Sequence, residues 1–112
     1  RNMTWTNLDN ISQVEQCIED SVVSPQLLFK HSTRCSISTM VLRRAEDQID
    51  QQFVNPLFLD LIQFRNISNY IAEVTGVFHE SPQAILLKNK KVVYHGSHGS
   101  IDWQIINKLC KE

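Results

Sequence analysis

The chain has 112 residues, 42% of them hydrophobic and 21% charged, with a net charge of −1 and a pI near 6.5. That length suits one domain with a real core and is too short for two, so residues 1–112 are expected to form a single domain. The near-zero charge leaves no basic field for nucleic acid, and no run approaches the ~20 consecutive apolar residues of a membrane span, so neither partner is expected.

Residues 3–5 are predicted as a short edge strand around Trp5. Asp9 or Asn10 can cap a helix that runs to about residue 22. Ile11, Val14, Ile18 and Val22 form its apolar stripe, Cys17 lies beside it, and Ser12-x-x-Glu15 fits a capping box. Ser24-Pro25 ends that helix, and Leu27-Leu28-Phe29 marks a buried strand over residues 26–30. A polar segment from Lys30 to Arg34 leads to Cys35. From there the period turns helical: Ile37, Met40, Val41, Ala45 and Ile49 share one face of a helix over residues 35–51, capped by Ser32 or Thr33.

Asn55-Pro56 reads as a turn, and Leu57-Phe58-Leu59 as a short strand ending at Asp60. A third helix over residues 66–74 is marked by Ile67, Tyr70, Ile71 and Val74, with Gly76 as its terminator. Ser81-Pro82 precedes Ala84-Ile85-Leu86-Leu87, and Asn89-Lys90 separates that run from Val92-Val93-Tyr94. This predicts a hairpin, although Lys90 must adopt a costly positive φ. Ser100 caps a last helix with Ile101, Ile105, Ile106 and Leu109 apolar. The order (β)αβαβαββα implies an α/β fold: crossover helices give parallel neighbours, the hairpin adds an antiparallel edge, and the mixed sheet is covered on both faces.

Cys35 falls where a strand ends and a helix begins. The first N–H groups of a helix have no internal partner and the helix dipole is positive there, so a thiolate is favoured, and thiolate is the form that attacks disulfides. Arg34 adds a positive charge, Ser38 is one turn on and can donate a hydrogen bond to the sulfur, and Thr33 can do the same or only cap the helix. The bland alternative is a buried small hydrophobe, against which stand the polar and basic neighbours of Cys35. Cys17 and Cys110 lie within or beside amphipathic stripes and are read as packing groups. Three sparse, widely spaced cysteines without a C-x-x-C unit do not form a secreted disulfide framework, and Arg1-Asn2-Met3 lacks the apolar core of a signal peptide; a reducing, cytoplasmic setting is expected. His31 and the pair His95-x-x-His98 have no spacing that supplies a metal geometry, so no metal and no tightly bound cofactor are expected.

The element order, with a cysteine after the first long strand and a proline before the hairpin, resembles a thioredoxin fold. Phe29-Lys30-His31-Ser32-Thr33-Arg34-Cys35, Asp60-Leu61-Ile62, Ser68-Asn69, and His79-Glu80-Ser81-Pro82-Gln83 with Val92-Val93-Tyr94-His95 closely resemble the YtxJ-like family. These are the monothiol bacilliredoxins of the bacillithiol system in low-GC Gram-positive bacteria. The resemblance implies a thioredoxin-like fold, a central mixed sheet of four main strands plus a short N-terminal strand, flanked by four helices. It implies a thiol-disulfide oxidoreductase in which Cys35 is the nucleophile, bacillithiol the co-substrate and bacillithiolated proteins the partners. It also implies a cis Ser81–Pro82 bond that turns the Ser81 backbone toward Cys35 to dock a disulfide partner. Ser38 stands where a dithiol member carries its second cysteine, so an external low-molecular-weight thiol must regenerate Cys35. Two positions depart from the family: Ser36 replaces the usual proline after the cysteine, and Asn89-Lys90 replaces Asn-Gly in the hairpin. Other readings are a monothiol redoxin using glutathione or coenzyme A, and a non-catalytic thioredoxin-like binding module. Iron–sulfur delivery ranks below these, because Cys35-Ser36-Ile37-Ser38 is not the Cys-Gly-Phe-Ser signature of such redoxins.

Overall fold

Strands and helices alternate along the computed structural model, which describes residues 3–112. The elements are β1 (Thr6–Asn7), α1 (Ile11–Asp20), β2 (Gln26–His31), α2 (Ser36–Gln48), β3 (Asn55–Asp60), α3 (Arg65–Thr75), β4 (Gln83–Lys88), β5 (Lys91–Ser97) and α4 (Trp103–Lys111). They form one mixed five-stranded sheet in the order β1-β3-β2-β4-β5. β1, β3 and β2 run parallel, and β4 and β5 join antiparallel.

Strand alternation splits the apolar residues between two faces. Leu27, Phe29, Ala84 and Leu86 pack with Val41, Ala45 and Ile49 of the α2 segment and with Trp103 and Ile106 of α4. Leu28, Leu57, Leu59, Ile85 and Leu87 pack with Val14 and Cys17 of α1 and Ile67 and Ile71 of α3. Each fully buried aliphatic side chain contributes about 1.5–3 kcal/mol relative to exposure. The central strand β2 is buried along its whole length, as a strand covered by helices on both faces must be.

Several boundaries differ from expectation for identifiable reasons. The edge strand lies at Thr6–Asn7, not around Trp5. Trp5 instead packs its ring 5.7 Å from both Phe29 and Phe58 and donates its indole N–H to Glu46. α1 is capped by an Asn10/Gln13 box rather than by Ser12 and Glu15, and it stops at Asp20, leaving Val22 exposed. α2 stops at Gln48, because Asp50 starts a separate 3-10 turn over Gln51–Phe53. The buried line of α2 is Ser38, Val41 and Ala45, so Ile37 and Met40 fall outside it and are about half exposed, at 48% and 50%. Asn55 and Pro56 belong to β3 rather than to a turn. Proline is tolerated there because β1 pairs only from Leu57 onward, so one edge of β3 is open at Pro56. The cap of α4 is Asp102, which accepts from Gln104 N and Ile105 N, and not Ser100, which sits in a 3-10 turn.

The hairpin between β4 and β5 forms as expected, with Asn89 at φ 52° and Lys90 at φ 66°. The end of α1 secures it. Asn89 N donates to Ser21 O and Lys90 N to Ser21 Oγ, both at 2.8 Å, and Lys90 Nζ lies 3.3 Å from Glu19.

Candidate active site

β2 ends at His31, whose carbonyl accepts Leu61 N at 3.0 Å, and residues 32–34 then turn away from the sheet. Cys35 N donates to Ser32 O at 3.2 Å, and Thr39 N donates to Cys35 O at 3.3 Å to open α2. Cys35 is itself the N-cap, extended at φ −112° and ψ 120°, and no side chain caps the helix. The expected caps, Ser32 and Thr33, do not serve, because the turn moves the helix start past them. The thiol therefore occupies the place from which a serine or aspartate would accept the first free N–H groups. It is partly exposed, with Thr33, Arg34, Ser36 and Ile37 exposed around it. Among the described residues Arg34 joins no ion pair.

Ser38 is wholly buried beneath this turn. Its Oγ accepts Ser32 N at 3.0 Å and lies 2.8 Å from His31 Nδ1. A hydroxyl has one proton; where His31 Nδ1 accepts it, none is left for the Cys35 sulfur. Ser38 thus ties the β2–α2 turn to the first turn of α2. Burial pushes the His31 pKa down from the ordinary histidine value, and Asp60, which pairs with it across the sheet, works against that shift.

The second segment enters from β4. The Ser81–Pro82 bond is cis, and the next residue, Gln83, pairs in register with Lys30 of β2. The sheet thereby brings Ser81 and Pro82 to the strand end that delivers Cys35. Gln83 Nε2 donates to Phe78 O at 2.9 Å, and His98 N donates to Pro82 O at 2.9 Å.

Lys30, where the expected strand over residues 26–30 meets the polar segment, is the fifth residue of β2 and is fully buried. Its Nζ donates to Ser68 O at 3.1 Å and lies 3.3 Å from His79 Nδ1, and Ser68 Oγ lies 3.0 Å from the same nitrogen. Burial, helped by Arg65, pushes the Lys30 pKa down to about 8. Burial and the Lys30 charge push His79 down as well. The signal for this cluster is the strand period: Lys30 is two residues beyond the core residue Leu28 and shares its face.

The other thiols are elsewhere. Cys17 lines a cavity with Gln26 and Asn55, and Cys110 lines another with Pro25 and Asn55, both beside the opposite end of β2. Burial pushes Cys17 up to about 12 and Cys110 up to about 11. Among the described residues no cluster of three or more His, Cys, Asp or Glu side chains is placed to hold a metal ion.

A mixed sheet with this strand order, a cysteine on the helix after the central strand and a cis proline before the antiparallel strand is the architecture of a thioredoxin-fold thiol-disulfide oxidoreductase. A solved structure described as a proposed oxidoreductase with a thioredoxin fold matches at a TM-score of 0.81 and 32% identity, covering 96% of this chain and 93% of that one. Thioredoxin from Trypanosoma brucei brucei matches at a TM-score of 0.74 and 16% identity, over 100% of this chain and 96% of that one. Spinach chloroplast thioredoxin f gives a TM-score of 0.73 at 16% identity, over 99% and 96%. At such identities the last two likenesses speak for the fold alone. The family model for monothiol bacilliredoxin BrxC matches residues 6–106, and the chain belongs to that family.

Proposed function

We propose that this protein removes bacillithiol from mixed disulfides on other proteins, with Cys35 as the nucleophile. One observation carries the single-thiol character: Cys17 and Cys110 lie at the far end of β2, and the position one helical turn after Cys35 is Ser38. The Cys35 thiolate attacks the bacillithiol sulfur, the protein–bacillithiol S–S bond breaks, and the protein leaves as a thiolate that takes a proton from water. Cys35 keeps the bacillithiol as a new mixed disulfide. Because no second cysteine is within reach, a low-molecular-weight thiol must then release it.

In this reading the free N–H groups at the start of α2 stabilise the thiolate, and Arg34 adds its charge from the solvent side. Ser36 keeps an N–H where the family has proline, which adds one donor at the helix start. Thr33 lies at the mouth of the site, and Ser38 acts on the thiol by holding the turn rather than by touching the sulfur. Ser81, presented by the cis bond to Pro82, offers its backbone to the partner chain. No described helix is long and apolar enough to cross a membrane.

The test is mass spectrometry of the protein mixed with a bacillithiolated substrate. The adduct mass should move to Cys35 and fail to move in Cys35→Ala. Transfer only from glutathione or coenzyme A adducts would replace the co-substrate. No thiol reactivity at all would leave a binding module.

A further inference from the structure

We propose that Lys30 is a positioning residue for partner docking: from beneath the sheet end it anchors the loop bearing Ser81 and Pro82 through His79, and so sets the backbone that a disulfide partner pairs with. The proposal rests on the docking reading of Ser81–Pro82 given above.

Apolar burial holds only the two ends of the loop from Phe78 to Pro82: Val77 and Pro82 are buried, but Phe78 is 86% exposed. Ser81 Oγ and Gln83 Oε1, on either side of Pro82, are buried without a hydrogen-bond partner among the described residues. Between those ends the loop is held by polar ties. Gln83 Nε2 fixes the Phe78 carbonyl and His98 N fixes the Pro82 carbonyl, while Glu80 lies 3.6 Å from His98 Nδ1. Between those points the grip is on His79 Nδ1, met by Lys30 Nζ at 3.3 Å and Ser68 Oγ at 3.0 Å. Lys30 also donates to Ser68 O, so one ammonium joins β2, α3 and the loop.

An ammonium in that place is unfavourable for the fold. Among the described residues Lys30 joins no ion pair, and its charged surroundings on α3 are the like charge of Arg65. Leu28, Leu59 and Ile85 continue the same face, so a methionine would extend the core there without a desolvated charge. What a methionine cannot do is donate to Ser68 O and His79 at once. Local rules are broken in this way where function requires it.

Two rates separate docking from thiol reactivity. Iodoacetamide alkylates Cys35 without using the loop. A ten-residue peptide bearing a mixed disulfide with thionitrobenzoate must lie along it, and releases a coloured thiol. Lys30→Met and His79→Ala should each lower the single-turnover second-order rate constant for the peptide about tenfold, mainly by raising the half-saturating peptide concentration, and leave alkylation within about twofold of wild type. His79→Ala removes the loop side of the tie without entering the core, so it decides the matter if Lys30→Met does not fold. Peptide exchange unchanged in the folded variants overturns the proposal. So does a parallel fall in alkylation, which would place the effect on Cys35 itself. Wild-type protein that is alkylated but does not exchange with the peptide overturns the docking reading and this inference together.

Discussion

The Ser38 hydroxyl meets both a backbone donor, Ser32 N, and a buried imidazole, His31 Nδ1, inside the first turn of α2. Ser38→Ala removes the partner of the half-buried Ser32 N–H and of the buried His31 ring, and should destabilise the protein by about 1–3 kcal/mol. An unchanged midpoint in urea denaturation would contradict this. Ser36 makes the opposite case. It is exposed and first in the helix, and the preceding Cys35 already has the extended backbone, φ −112° and ψ 120°, that a residue before proline requires. Ser36→Pro should therefore fit without backbone movement and raise stability by about 0.4–1 kcal/mol, read as a higher Tm. A lower Tm would mean that the Ser36 N–H makes a contact the turn depends on. At this scale the sequence is legible for Cys35, whose place follows from a change of period. Lys30 and His31 are legible as the end of a strand, but their polar partners are not, because Ser68, His79 and Ser38 are separated from them by up to 49 residues.

Among the elements, helices and strands with a clear apolar period are found where their residues place them, while ends depend on single polar groups that compete for the same N–H. Asn10 wins the α1 cap from Asp9 because Gln13 reciprocates, and Asp102 wins the α4 cap from Ser100 because its carboxylate reaches two amides. α3 ends where Gly76, at φ 71°, turns left-handed. Among the described residues, and apart from the adjoining chain, no atom stands within 4 Å of where a Cβ on Gly76 would lie, so the backbone angle is what opposes a side chain there. Gly76→Ala should destabilise by about 1 kcal/mol in chemical denaturation. A neutral result would show that the α3 terminus relaxes out of the left-handed conformation.

Across the whole molecule, the buried Lys30 gives stability a pH dependence of defined sign. Its pKa falls from 10.5 to about 8 on folding, so between those values the unfolded chain holds a proton that the folded one has released. Stability therefore rises with pH through this window and is lost as pH falls through about 8. Cys17 and Cys110, raised from 9.0 to about 12 and about 11, act in the opposite sense, and only above 9. Between pH 8 and 9 the unfolding free energy should rise by about 1 kcal/mol more in wild type than in Lys30→Met. Equal slopes would place the Lys30 charge in a wetter setting than the sheet end gives it. The separation of the thiols has a consequence for the protein as a population. With Cys17 and Cys110 a strand length from Cys35, a molecule capped as in the proposed cycle would be unable to clear itself, so each molecule would perform one exchange and then wait. On that proposal the fraction of Cys35 that is capped would be set by the balance of reduced and oxidised small thiol around it. The protein would then work as a ledger of that balance, and adding more of it would raise the capacity for repair only as far as the thiol pool could keep it uncapped.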